Sequence, residues 1–227
     1  VGEEKPDVAF RQEGNLFLVD EGGREVAESG LALQQSLGCQ VEWLAPDQVK
    51  DLYPYCDPAG VGCVGATYGP QDGTMDPFAV LMGYRRKAVS LGAELIQAEV
   101  AGLLTDRKRV TGVRLSSGDD LSANVVVNSA GAWAPVLAQS AGIDLPVEPV
   151  KRQVFVIEAD VKPDGLLPAL YPPSGLYCFH ERGNQFMCGK SLPDDPVGYE
   201  FGWDRQVFME VLWPELVQFL PAFDRLK

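Results

Sequence analysis

Residues 123–135 read ANVVVNSAGAWAP. Val125, Val126 and Val127 put apolar side chains on both faces, the pattern of a central strand in a sheet covered on both sides. The run breaks on Ser129, Ala130 and Gly131, and a helical pattern resumes at Trp133 and continues to about Ala141, ahead of Gly142. A strand that turns into a helix through small residues lets a ligand or a second backbone come close to the main chain, facing the free amides of the helix start. The same spacing also serves a plain packing turn. Both readings require a strand-helix-strand layer, and that is the tightest constraint in the chain.

The segments before this run supply the rest of such a layer. DPFAVLMGYRRKAVSLG (76–92) is the clearest helix: Asp76 suits its cap, Pro77 its first turn and Gly92 its end. Val80, Leu81, Tyr84, Ala88 and Leu91 form one packing face, and the RRK run at 85–87 an exposed one. After it, AELIQAEV, GLLTD, VTGVRLSSG and NVVVNSAG read as short strands divided by turn residues. On either side the pattern changes to antiparallel sheet with helices. NLFLVD (15–20) is a strand, 24–37 a helix ended by Gly38, CQVEWLA (39–45) a strand, and PDQVKDLY a short helix with Pro46 in its first turn. GVGCVGATYG is extended, PVKRQVFVIEA a strand, and GLYCFHERGNQFMCGK a hairpin turned at Gly183 and Asn184. YEFGWDRQVFMEVLWPELVQFL reads as a helix packed on the sheet through Phe208, Leu212, Leu216 and Leu220.

Charge and cysteine content narrow the function. With 19 basic against 32 acidic residues and a net charge of −13, nucleic acid and anionic membrane surfaces are unfavourable partners. No apolar run is long enough for a membrane span. The five cysteines contain no C-x-x-C pair, so neither a zinc site nor a disulfide framework is expected. Small buried hydrophobes in a reducing, cytoplasmic setting fit them best. Gly60, Gly62 and Gly65 spell the dinucleotide fingerprint G-x-G-x-x-G, but YPYCDPA before them is no buried strand and ATYGPQDG after them is no helix. A glycine-rich strand or turn is the better reading.

DGTMDPFAVLMGYRRKAVSLGAELIQAEVAGL, VTGVRLSSG, VVVNSAGAW and LPVEPVKRQVFVIEA follow one another over roughly 72–159. In this order and spacing they resemble the DAO-type flavoprotein family that includes D-amino-acid oxidase, glycine oxidase, sarcosine oxidase and dimethylglycine dehydrogenase. LPVEPVKRQVFV, GLYCFHERGNQFMCGKS and VLWPELVQFLPAFDRLK resemble its mitochondrial branch linked to respiratory complex I assembly. The resemblance implies an α/β and α+β fold: a partial FAD-binding, Rossmann-like portion plus a mixed, mostly antiparallel β-sheet substrate domain with flanking helices. The expected division is 1–71 for the first part of the substrate domain, 72–146 for the middle portion of the FAD domain and 147–227 for the second part of the substrate domain. It implies FAD as cofactor, held covalently or not, with Val100 contacting the adenine through its backbone and Ser129, Ala130, Gly131 and Trp133 lining the cleft. The implied chemistry is removal of hydride from a carbon next to an amine nitrogen, giving an imine that water hydrolyses.

Four side chains are substrate candidates. Tyr177 and His180 lie in the hairpin that would roof the flavin, and Arg152 and Lys190 could pair a substrate carboxylate in a low-dielectric pocket. The bland alternatives are core packing for Tyr177, a surface or packing role for His180, and solvated surface for the cations. No catalytic residue and no metal ligand is assigned. The family's glycine fingerprint belongs upstream of VGEEKPD and its last glycine-rich segment after Lys227. The chain is therefore expected to be a central piece of a longer protein, inactive alone. Two other classes stay open, a non-catalytic assembly factor with a protein partner and a free-standing binding domain, and the mitochondrial matrix is the alternative to a cytoplasmic location.

Overall fold

The computed structural model describes residues 5–226; residues 1–4 and 227, at the ends of the first and third expected segments, lie outside the described residues. The chain forms two compact units. The first takes in the described residues through Tyr84, Arg152–Pro193 and those from Gly202 onward, and the second Arg85–Lys151 with Asp194–Phe201. The compact units divide at 84/85 and 151/152, and the 194–201 segment returns to the second unit.

The first unit is built on a seven-stranded sheet. Its strands are β1 (Asn15–Asp20), β2 (Glu42–Leu44), β3 (Cys63–Gly69), β7 (Val154–Glu158), β8 (Ala169–Tyr171), β9 (Tyr177–Arg182) and β10 (Gln185–Gly189), in the order β2-β3-β1-β8-β9-β10-β7. Every pairing is antiparallel except that of β1 with β8. The β9–β10 hairpin turns at Gly183, whose φ of 59° lies in the left-handed region that glycine adopts without strain. The two faces of the sheet differ. Residues opposed across antiparallel strands share a face, so His180 with Phe186, Cys178 with Cys188, and Phe186 with Ile157 mark one side, all of it buried.

That buried face packs against α2 (Pro46–Leu52) and the helical run at 205–219. The run comprises α5 (Arg205–Val207), one π stretch (Phe208–Leu212) and α6 (Trp213–Phe219), opened by the Asp204 side chain accepting from Gln206 N at 2.8 Å. Phe208, Leu212, Leu216 and Leu220 are all buried. Side chains four apart drift by about 40° per step on a helix of 3.6 residues per turn. The wider π stretch, in which Trp213 N donates to the Phe208 carbonyl, takes up part of that drift. Pro214, which has no N–H to give the preceding turn, follows immediately. Helix therefore begins at Arg205, later than the sequence pattern suggests, and YEFGW lies outside it.

The fingerprint-like glycines serve packing. A Cβ at Gly60 would collide with the Gln218 carbonyl at the end of α6, and one at Gly65 would enter the Trp43 indole. Gly62 ends the short 3-10 turn Pro58–Val61 with φ 61°.

The second unit holds an antiparallel meander, β4 (Val100–Asp106), β5 (Arg109–Leu115) and β6 (Asp120–Ser122), with α4 (Ala134–Gln139) fastened to it. Leu103 N donates to Ser140 Oγ at 2.8 Å, just past the end of α4. Residues 93–99 and 123–130, both expected as strands, carry no ladder. A strand exists by virtue of a run of hydrogen bonds to a neighbour; these segments have instead a single backbone bond each to the meander near one end, from Ser116 N to the Glu99 carbonyl and from Ala123 N to the Thr111 carbonyl, both at 2.9 Å. Val127 accordingly stands 82% exposed. The same holds for the helices: α1 (Arg24–Ser36) and α3 (Pro77–Ser90), the latter capped by Asp76 as expected, bury no residue among those described.

The free cysteines Cys56, Cys178 and Cys188 are buried and Cys39 is exposed. Burial pushes the Cys56 and Cys188 thiols up to about 12, and Cys178 well above its usual range. Thiolate is the reactive form. Ellman's reagent at pH 8 is therefore expected to titrate Cys39 rapidly and the half-buried Cys63 slowly. The other three should react only on unfolding, and labelling of Cys178 or Cys188 in the folded protein would contradict this packing.

Candidate functional site

Two surfaces carry the candidate residues, one in each unit. In the second unit the small-residue run forms a turn. Asn128 Nδ2 donates to the Ala134 carbonyl at 2.9 Å, and its Oδ1 accepts from Ala130 N at 3.2 Å, so one side chain bridges both shoulders. Gly131 has φ 55°, and a Cβ added there would meet nothing within 4 Å. The turn thus opens onto free space with little side chain in front of its backbone. Ser129 and Gly131 are exposed and Ala130 half-buried. Trp133 follows, stacked on Tyr199 with ring centroids 5.4 Å apart. Val100 begins β4 in the same unit, and α4, which directly follows the turn, is tied to that strand through Ser140. The structure therefore places Val100, Ser129, Ala130, Gly131 and Trp133 in one unit.

In the first unit the sheet face opposite the core is open and aromatic. Phe17 stacks on Tyr171 with centroids 4.3 Å apart, Tyr171 meets Phe179 edge-on at 5.8 Å, and Phe179 lies 5.3 Å from Tyr177. Met187, paired with Phe179, and Val156, paired with Met187, extend the face to the edge strand β7. The Tyr177 ring lies over Gly189, where a Cβ would strike it. Burial raises the Tyr171 and Tyr177 phenols above their ordinary range. Both phenols therefore keep their protons near neutral pH.

The four substrate candidates separate along this sheet. Tyr177 lies on the open face, and Arg152 is exposed two residues before β7. His180, one step out of phase with Tyr177, is 3% exposed on the core side. It accepts from Leu167 N at Nδ1, faces the Gly183 carbonyl through Nε2 at 3.2 Å, and packs on Phe186. Lys190 also points to the core side, where its Nζ lies 2.5 Å from Glu215 Oε2 and Ser174 donates to the other carboxylate oxygen. His180 and Lys190 thus lie on the core side, in packing and ion-pair contacts: strand alternation turns both away from the face that carries Tyr177. Phe17, Tyr171, Phe179 and Met187 share the open face with Tyr177 and are not among the four candidates. The hairpin alternation was a signal for Phe179 and Met187, whereas Phe17 and Tyr171 meet through a parallel pairing of distant segments.

The whole sequence, residues 1–227, matches the family DAO, FAD dependent oxidoreductase. The chain belongs to the DAO family of FAD-dependent oxidoreductases. It is 32% identical over 260 residues to FAD-dependent oxidoreductase domain-containing protein 1 of Xenopus laevis, covering 100% of this chain and 52% of that protein. It is 35% identical over 158 residues to sarcosine oxidase subunit beta of Arthrobacter sp, covering 67% of this chain and 38% of that one. Among solved structures, L-proline dehydrogenase from P. horikoshii superposes with a TM-score of 0.84 at 24% identity, over 96% of this chain and 59% of that one. Glycine oxidase from Geobacillus kaustophilus gives 0.76 at 23%, over 97% and 57%. The fold is therefore that of the DAO proteins. The chain spans about half the length of the FAD-dependent oxidoreductase domain-containing relatives it matches. FAD is the cofactor of this family, and the open turn at 129–131, with its bare glycine, fits the close approach of such a group.

Proposed function

We propose that this chain is the central part of an FAD-dependent oxidoreductase that oxidises an amine or N-methyl amino acid at its C–N bond. The observation that carries the reading is the open aromatic face of the seven-stranded sheet. An enzyme acting beside an amine needs a surface that excludes water and still tolerates a cation, and aromatic rings meet both demands. Bound FAD supplies the acceptor for the hydride taken from the carbon next to nitrogen. Phe17, Tyr171, Tyr177 and Phe179 would pack against the substrate, with the protonated Tyr177 phenol as a hydrogen-bond donor. Arg152 would pair the carboxylate of an amino acid substrate. Val100 would meet the adenine through its backbone, and Ser129, Ala130, Gly131 and Trp133 would line the cofactor cleft. The similarity to sarcosine oxidase subunit beta and to mitochondrial sarcosine dehydrogenases supports a secondary amine as substrate.

The reading assigns turnover to the longer protein and none to the 227 residues alone. The test uses the full-length protein, purified and mixed anaerobically with sarcosine and with larger secondary amines. Bound FAD whose absorbance bleaches within the first turnover is expected. A protein that never retains flavin would sink the reading. Retained FAD that no amine reduces, in a protein that captures a partner, would favour a non-catalytic assembly role.

A further inference from the structure

The 194–201 segment returns to the second unit and lies against the 128–134 turn. It is held there by Gly198 N donating to the Pro149 carbonyl and Lys151 N to the Pro196 carbonyl, both at 2.9 Å, and by an ion pair of Lys151 with Glu200 at 3.6 Å. From this anchored segment Tyr199 Oη donates to the Ala132 carbonyl at 2.9 Å while its ring stacks on Trp133. Phe201 adds a second ring nearly parallel to Trp133, at 6.3 Å and 12°. Asn128 already fixes the Ala130 amide and the Ala134 carbonyl, and Trp133 N closes on the Ala130 carbonyl at 3.0 Å. The Ala132 peptide is the member that Asn128 does not reach, and the Tyr199 hydroxyl holds it.

We propose that Tyr199 is a positioning residue for the cofactor-side turn, fixing the Ala132 peptide and the Trp133 ring so that 129–131 present a preformed backbone. The role rests on the reading above, that this turn lines the FAD cleft. The pairing is informative because Tyr199 is itself half exposed, at 46%: its bond adds little to global stability and acts mainly on local order. A preformed turn binds its ligand without the cost of ordering it at that moment.

Two variants separate the two links. Tyr199→Phe keeps the stack and removes the hydroxyl; Tyr199→Ala removes both. In flavin-free protein, amide hydrogen exchange across 129–134 is expected to rise about fivefold in the first variant, as for loss of one hydrogen bond, and further in the second. Exchange in the 177–189 hairpin should be unchanged. In the full-length protein the FAD dissociation constant should weaken by a similar factor, with a shifted visible flavin spectrum. Unchanged exchange across the turn would overturn the positioning role. Faster exchange with unaltered FAD affinity and spectrum would overturn the assignment of the turn to the cofactor, and with it any functional part for Tyr199.

Discussion

Replacing Phe186 with alanine is expected to remove about 3–5 kcal/mol of folding stability, the range for deleting a fully buried phenylalanine. Phe186 is 0% exposed on β10. Its ring lies 4.6 Å from that of Phe223 and 4.9 Å from His180, so it joins the sheet to the short 3-10 turn Pro221–Asp224 that follows α6. Alanine would leave a cavity whose walls belong to three different segments, and strand pairing limits how far β10 can collapse into it. The control is Phe17→Ala on the other face, where the ring is 43% exposed and loses chiefly its stack on Tyr171. That change should cost about 0.5–1.5 kcal/mol. Urea unfolding followed by tryptophan fluorescence measures both, and Phe186→Leu, which leaves a smaller void, provides a readable variant if alanine prevents folding. Equal losses for Phe186→Ala and Phe17→Ala would mean that the sheet is not covered on one side and open on the other.

That distinction between faces is where sequence and structure part company most usefully. The alternation of YCFHER and QFMCG predicts a hairpin, and the hairpin forms. Alternation alone does not say which half of each strand faces the core, since Tyr, Phe, Cys and His suit either side. Only the burial of Phe208, Leu212 and Leu216 in one core with Phe155 and Phe186 decides it, and these residues come from far along the chain. Tyr177 and His180 therefore looked equivalent as candidates although three positions of strand place them on opposite faces.

Local signals behaved differently from those that need a partner. The Asp76 cap, Pro77 and Gly92 bound α3 as expected because caps act within a single turn of chain. Val125, Val126 and Val127 read as a strand because their side chains suit one, yet a ladder needs a neighbouring backbone, which the described residues do not provide. The 128–134 turn was visible as a run of small residues. Its two clamps were not equally visible: Asn128 lies beside the turn, whereas Tyr199 reaches it from 67 positions away.

The network at the start of β1 was wholly invisible in the sequence and supplies the second large expected effect. Glu13 has a side chain only 1% exposed, and one of its carboxylate oxygens, Oε2, makes no hydrogen bond among the described residues. Its other oxygen accepts from Thr74 Oγ1 at 2.7 Å, and the Arg11 Nε stands 3.5 Å from Oε2. Arg11 in turn donates to Thr74 Oγ1 and to the Glu181 carbonyl, tying the approach to β1, the loop ahead of α3 and the end of β9 together. Arg11→Met retains most of the aliphatic stem and leaves a buried carboxylate without its cation. The loss should be about 3–5 kcal/mol, the cost of breaking a buried pair from one side. Adding Glu13→Gln removes the stranded charge while keeping an acceptor for Thr74, so the double variant should recover most of that loss. Equilibrium unfolding of the two single variants and the double variant closes the cycle. If Arg11→Met lies within 1 kcal/mol of the parent, or if the double variant is no more stable than Arg11→Met, then Arg11 is not what compensates the buried Glu13.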